Sequence, residues 1–265
     1  MELDLTRLSG ALGAEIRGVD LAEVTDGLFA RIHRAFLAHH VLVFRDQKLT
    51  PEQQIAFGSR FGTLHVHPIV PHLPGHPPIL PIVNRGKRRT ITEVWHSDVT
   101  FEARPPMASL LYALELPEAG GDTMFANQHR AFERLSPGMQ RLLEGLRAVH
   151  TGRGLAAVTG KGDDWREHGQ LHPVVRTHPE TGRKALFVNR GFTVAFEDMT
   201  PPESRPLLDF LVAHATAPDL VDRHRWLPGD LVMWDNRSVM HYAVHDHGDA
   251  PRTLHRVTVE GDVPR

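Results

Sequence analysis

Short apolar runs bounded by Gly, Pro, Asp or Asn recur along this chain: SLLYALEL, TMFAN, KALFVN, DLVMWDN, SVMHYAV and TLHRVTV. Rich in β-branched and aromatic residues and too short for helices, they predict strands. That many strands predict a sandwich or a barrel. Other segments carry helical spacing. Leu28, Ile32, Phe36 and Leu37 predict a helix over 25–40 that feeds a buried strand, VLVF, at 41–44. In LTPEQQIAFGSRFG, Thr50 is placed to cap a helix, Pro51 to occupy its first turn and Gly62 to stop it. SPGMQRLLEGLRAVH (136–150) and TPPESRPLLDFLVAHAT (200–216) read as two further helices, the second opened by Thr200, Pro201 and Glu203 in the pattern of a capping box. HVHPIVPHLPGHPPILP (65–81) reads as a loop, because proline removes donors and fixes the backbone. The chain therefore reads as mainly β with flanking helices, with no internal repeat and no linker dividing residues 1–265.

Composition narrows the chemistry more than the fold. The 265 residues are 41% hydrophobic and 23% charged, ordinary for a globular protein, and carry a net charge of -2. That balance argues against a nucleic-acid binder or a polybasic membrane-surface protein, neither of which could gather phosphates or anionic lipids with so few surplus cations. The absence of cysteine excludes disulfides, thiolate nucleophiles and Cys-ligated metals. Any metal must sit on His, Asp or Glu. The N-terminus lacks a charged-then-apolar signal pattern, and no apolar run approaches the roughly 20 residues of a membrane helix, so a cytoplasmic location is expected.

The stretch EVWHSDVTF (93–101) sets His96 and Asp98 two residues apart. On a strand these side chains would share one face, with Ser97 turned away. GDLVMWDNRSVMHYAV reads as a hairpin turning at Asp235-Asn236-Arg237, with His241 inside the returning strand as a third ligand. Two histidines and a carboxylate on one face of a metal leave the opposite positions open, which suits a non-haem Fe(II) oxygenase. The same donors can hold catalytic zinc for a hydrolase, or the metal of a non-enzymatic cupin-like binding protein. Downstream, Arg252 and Arg256 have the same parity on one predicted strand and could place two anion clamps along one cavity.

Taken together, GAEIRGVDL (13–21), VWHSDVTF, PEAGGDTMFAN (117–127), HPVVRTHPETGRKALFVNRGF (172–192), WDNRSVMHYAV and PRTLHRVTVEGD (251–262) resemble the taurine dioxygenase/TfdA group of Fe(II)- and 2-oxoglutarate-dependent dioxygenases over nearly the whole chain. The resemblance implies a double-stranded β-helix, the jelly-roll or cupin-like sandwich. It implies that His96, Asp98 and His241 hold Fe(II), that Thr123 and Arg252 grip the far carboxylate of 2-oxoglutarate, and that Arg256 binds the acidic group of a small anionic substrate oxidised by O2. His67 and Phe192 match positions that line the substrate pocket. Val70 and Thr92 stand where the taurine enzyme has a tyrosine and an asparagine, which points away from taurine toward a less polar anion among sulfonates, sulfate esters and carboxylates. Asp98 sets the chain apart from related halogenases, which have a small residue there. The resemblance also implies a homodimer or homotetramer, and the glycine-rich segment 151–170 reads as a possible lid.

Overall fold

The structure is a computed structural model that describes residues 3–66, 70–84, 93–154 and 169–265. Its strands are β1 (Asp4–Arg7), β2 (Ala14–Arg17), β3 (Val41–Phe44), β4 (Ile79–Asn84), β5 (Ala108–Glu115), β6 (Thr123–Asn127), β7 (Arg147–His150), β8 (Gln170–Pro173), β9 (Val175–Thr177), β10 (Lys184–Leu186), β11 (Thr193–Phe196), β12 (Val221–His224), β13 (Leu231–Asp235), β14 (Val239–Ala243) and β15 (Arg252–Val259). The helices are α1 (Asp26–His39), α2 (Pro51–Ser59), α3 (Gln128–Glu133), α4 (Pro137–Glu144) and α5 (Pro201–Ala215).

A large sheet runs β1-β2-β3-β13-β5-β15-β4, and a small one runs β12-β6-β14. The chain shuttles between them. From β4 it passes to the segment at His96, which bridges to His241 on β14, then to β5 in the large sheet and β6 in the small one. It returns through β12, β13, β14 and β15, again alternating sheets. The result is the double-stranded β-helix expected from the sequence.

Side-chain parity shows why the strands read as unbroken apolar runs. Leu42, Phe44, Leu110, Tyr112, Leu231 and Met233 face outward and pack with Ile32 and Phe36 of α1 and Phe57 of α2. Val41, Val43, Leu111, Ala113, Val232, Trp234 and Leu254 face inward against Phe125 and Val239 of the small sheet. A strand covered on both faces has no polar side to alternate with. The small sheet's other face, at Ala126 and Met240, packs on α3, α4 and α5. Thr50 caps α2 as expected and Thr25 caps α1, and Glu203 reaches back to the Thr200 backbone at the start of α5.

Some expectations change. The helix expected over 136–150 stops at Glu144, with Gly145 as its cap. Arg147–His150 is instead β7, paired with β8 and β11, because Ala148 and His150 are buried at alternate positions in strand fashion. The Pro-rich loop ends early, since Ile79–Asn84 forms the edge strand β4 and its Pro81 is tolerated at an edge. Residues 155–168 of the segment considered as a lid lie outside the described residues.

Under the β13–β14 turn lies a buried polar cluster. Asp235 accepts hydrogen bonds from Arg237 Nε and Nη2, both at 2.8 Å, and from His178 Nε2 at 2.9 Å. His40 and His129 pack against each other beside it, their rings tilted by 56° with centroids 5.0 Å apart. Burial, aided by neighbouring His and Arg charges, pushes His40 down to about 3 and His129 to about 4, and burial pushes His150, elsewhere in the core, to about 3. These rings fold neutral. As pH falls below 6.5 the unfolded chain takes up protons that the folded one refuses, so stability present above 6.5 is lost toward pH 4. By pH 5 the loss reaches about 2 kcal/mol per histidine. Urea titrations of metal-free protein at pH 7.5 and pH 5 should show the midpoint fall steeply, and an unchanged midpoint would contradict it.

Candidate active site

His96 and His241 face each other across a two-residue backbone bridge. His96 N–H donates to the His241 carbonyl at 3.1 Å, and His241 N–H returns a bond of 2.7 Å. Asp98 follows two residues on, not along a strand as expected but in a turn, beside Val99 at φ 51°. The turn still brings it back to the imidazoles. Asp98 Oδ1 lies 4.0 Å from His96 Nε2 and 3.8 Å from His241 Nε2, and all three side chains are buried. Those separations exceed a hydrogen bond and leave space between the donors that a cation would fill.

The protonation states suit metal binding. Burial pushes both imidazoles below their usual range, so they are neutral at physiological pH. His96 Nδ1 lies 2.7 Å from the Val94 carbonyl, which can only accept, so the proton sits on Nδ1 and Nε2 keeps its lone pair. Burial pushes the Asp98 carboxyl up, but the Arg256 guanidinium, helped by the hydrogen bond from Ser109, outweighs it and holds the group ionised, below its usual range.

Further along β15, Arg252 is 3% exposed. Its Nε donates to the Gly121 carbonyl at 3.0 Å and its guanidinium lies 5.6 Å from the Trp226 ring centre. Among the described residues no carboxylate comes within ion-pair range of it. Burial lowers it to about 10, so it remains a cation at neutral pH. A buried charge without a counterion is costly, and a bound anion would relieve the cost. Gly121 is required here, because its φ is 72° and a Cβ would approach Arg252 Cδ to 3.0 Å. Thr123 shares the inward face of β6 with Phe125. Its hydroxyl oxygen accepts from Trp226 Nε1 at 3.0 Å, which leaves the hydroxyl proton free to donate.

Arg256 lies on the same inward face as Arg252 and Leu254, as parity on β15 requires, and its Nη1 donates to Asp98 Oδ1 at 3.2 Å. Around it a pocket is lined by His65, His72, Pro77, Pro78, Leu80, Val99 and Thr258. Phe192 stands edge-on to His96, 6.1 Å between centroids, and 5.2 Å from Phe101. Its backbone N–H donates to Asn189 Oδ1 at 2.8 Å. Val70 is half-buried and is not among the residues lining the Arg256 pocket. His67 and Thr92 lie outside the described residues.

Sequence reading missed Trp226, which touches both Thr123 and Arg252, and the pocket walls Pro77, Pro78 and Leu80. The loop's proline richness marked the region, but only the pairing of Leu80 with Arg256 across β4 and β15 shows which residues meet the cation.

Two imidazoles and a carboxylate converging between the sheets of a double-stranded β-helix, with a buried guanidinium on the neighbouring strand, define a class of cupin-fold metal oxygenases. The chain belongs to the family described as taurine catabolism dioxygenase TauD, TfdA, which matches residues 4–258. It is 36% identical to an alkylsulfatase of Acinetobacter baylyi, covering 99% of this chain and 86% of the relative. It is 35% identical to an alpha-ketoglutarate-dependent sulfate ester dioxygenase of Pseudomonas putida, covering 100% of this chain and 91% of the relative. The crystal structure of AAD-2 in complex with Mn(II) and N-oxalylglycine superposes with a TM-score of 0.85 at 32% identity, over 100% of this chain and 99% of that one.

Proposed function

We propose that this protein is an Fe(II)- and 2-oxoglutarate-dependent dioxygenase that hydroxylates an anionic organic substrate with an apolar body, an alkyl sulfate ester first among them. The carrying observation is the buried His96, Asp98 and His241 cluster together with the buried guanidinium of Arg252, which no carboxylate among the described residues pairs with. The relative crystallised with Mn(II) and N-oxalylglycine supports it, because that ligand carries a carboxylate at each end, as 2-oxoglutarate does. In the balanced reaction, R–H, O2 and 2-oxoglutarate give R–OH, succinate and CO2.

His96, Asp98 and His241 would hold Fe(II), and the metal with its cosubstrate supplies the activation of O2. The chain's residues orient and shield. Arg252 and the Thr123 hydroxyl receive the far carboxylate of 2-oxoglutarate, one by a charge-assisted fork and one by a single hydrogen bond. Arg256 receives the substrate's acidic group, while Pro77, Pro78, Leu80 and Val99 around it, and Phe192 beside His96, enclose its hydrocarbon part and keep out water. Hydroxylation of the carbon bearing a sulfate ester leaves an unstable product that collapses to an aldehyde and free sulfate, a convenient readout.

Sulfate esters are favoured by the apolar walls and by the names of the two relatives above. Taurine is disfavoured, because none of the described residues lining the Arg256 pocket carries a carboxylate to pair with its ammonium, and a desolvated, unpaired cation costs affinity. The reading includes a cytoplasmic enzyme of one domain over residues 1–265, assembled as a homodimer or homotetramer. Among the described residues no helix is long and apolar enough to cross a membrane.

Replacing His96, Asp98 or His241 by Ala should abolish both stoichiometric Fe(II) binding and succinate release. Full turnover with iron retained in any of the three would refute the metal assignment. Arg252→Ala should raise the KM for 2-oxoglutarate about 10- to 100-fold, the worth of a buried charge-assisted pair, with Arg252→Lys recovering only part. An unchanged KM would place the carboxylate elsewhere.

For the substrate, a succinate-release panel of alkyl sulfates, alkyl sulfonates, aryloxy acids and taurine should rank an alkyl sulfate first in kcat/KM and taurine near the bottom. Arg256→Ala should raise the KM of the preferred anion by about tenfold or more while moving that of 2-oxoglutarate little. Taurine at the head of the panel would overturn the pocket reading.

A further inference from the structure

The two oxygens of the Asp98 carboxylate live in different surroundings. Oδ1 faces His96, His241 and Arg256, at 4.0, 3.8 and 3.2 Å. Oδ2 turns the other way and accepts a 2.6 Å hydrogen bond from the Ser109 hydroxyl. Ser109 is wholly buried on β5, where it pairs with Trp234 of β13 on one side and Thr258 of β15 on the other. It belongs to none of the segments that carry the three clustered residues.

The direction of every hydrogen bond behind Ser109 is forced. An indole N–H can only donate, and Trp234 Nε1 donates to Asn236 Oδ1 at 2.9 Å. The backbone N–H of Asp98 donates to the same oxygen at 3.3 Å. With its oxygen held by two donors, the Asn236 amide must turn its NH2 toward Ser109 Oγ, 3.1 Å away. Ser109 therefore accepts from Asn236, and its one proton has only Asp98 Oδ2 to go to. Asn236 is 2% exposed and Trp234 1%, so no solvent competes for these bonds.

We propose that Ser109, held in one orientation by Asn236 and Trp234, is the positioning residue that fixes which oxygen Asp98 presents to the metal. This rests on the reading of His96, Asp98 and His241 as the Fe(II) site. A free carboxylate can rotate about its last bond and offer either oxygen or both. With Oδ2 tied to Ser109, Asp98 offers Oδ1 and withholds Oδ2, which preserves open positions for a chelating cosubstrate and O2. The chain of donors also couples Asp98 to the hairpin that carries His241. Trp234 supplies the first proton of the chain and lies 4.7 Å from the His241 ring, while Asn236 forms the turn before it. Partners that orient metal ligands in this way typically govern affinity by about 10- to 100-fold.

The experiment is an anaerobic Fe(II) titration of metal-free wild-type, Ser109→Ala and Ser109→Thr protein. It is followed by addition of 2-oxoglutarate to record the visible charge-transfer absorption of the chelate. Ser109→Ala should bind Fe(II) about 10- to 100-fold more weakly and give a shifted or weakened absorption, and Ser109→Thr, which keeps the hydroxyl, should restore both. Thermal unfolding without metal separates a merely structural role, which would lower the midpoint of Ser109→Ala and leave its Fe(II) affinity untouched. Wild-type protein that binds Fe(II) while Ser109→Ala matches it in affinity and spectrum overturns the role of Ser109 alone. Wild-type protein that fails to bind Fe(II) overturns the metal-site reading and this inference with it.

Discussion

The pair of backbone hydrogen bonds between His96 and His241 ties together two positions 145 residues apart (241 - 96). One partner sits in a loop leaving the first third of the molecule and the other on a hairpin near the C-terminus. A reciprocally bonded antiparallel pair holds its Cα atoms about 5.5 Å apart. Both imidazoles can then leave on the same side, into the gap between the sheets. That gap exists because inward-facing Leu111, Val232, Phe125, Val239 and Leu254 close its floor. The apolar floor and the polar mouth are one design: β14 contributes Val239 to the floor and His241 to the mouth, two residues apart and on one face.

The cost of the arrangement is electrostatic. Asp98, Arg252 and Arg256 are taken out of water among apolar walls, and only some of their charge is neutralised internally. Asp98 and Arg256 share a contact. Arg252 has backbone and amide oxygens and an aromatic ring for company, all weak substitutes for an anion. Such a site is unstable in the sense that favours ligands, since an anion arriving there neutralises a charge already stripped of solvent.

Much of this was legible in the sequence, for identifiable reasons. Strand count, the cap at Thr50 and the His-x-Asp pair are local signals that burial reinforces. The same-face placement of Arg252 and Arg256 followed from parity alone. What local reasoning could not supply was anything decided by a partner distant in sequence. LRAVH at 146–150 looked helical because its neighbours are; β8 and β11 make Arg147–His150 a strand. Asp98 reaches the imidazoles through a turn with a left-handed valine, not through an extended run. Ser109 looked like filler in an apolar strand, and only its inward parity and the ring of donors behind it reveal what it touches. Trp226 escaped notice since nothing in its neighbourhood of the chain points to Thr123 or Arg252.

Pro81 has a bearing on how copies of this molecule can meet. It stands within β4, the outermost strand of the large sheet, opposite His255. An open strand invites another strand to add on through its row of unpaired amide groups, and a proline breaks that row. Templated growth of the sheet from this margin is therefore discouraged at the level of the backbone. A second subunit meeting the molecule at this margin would have to pack through side chains, so its arrival there need not distort the barrel wall that carries Arg252 and Arg256.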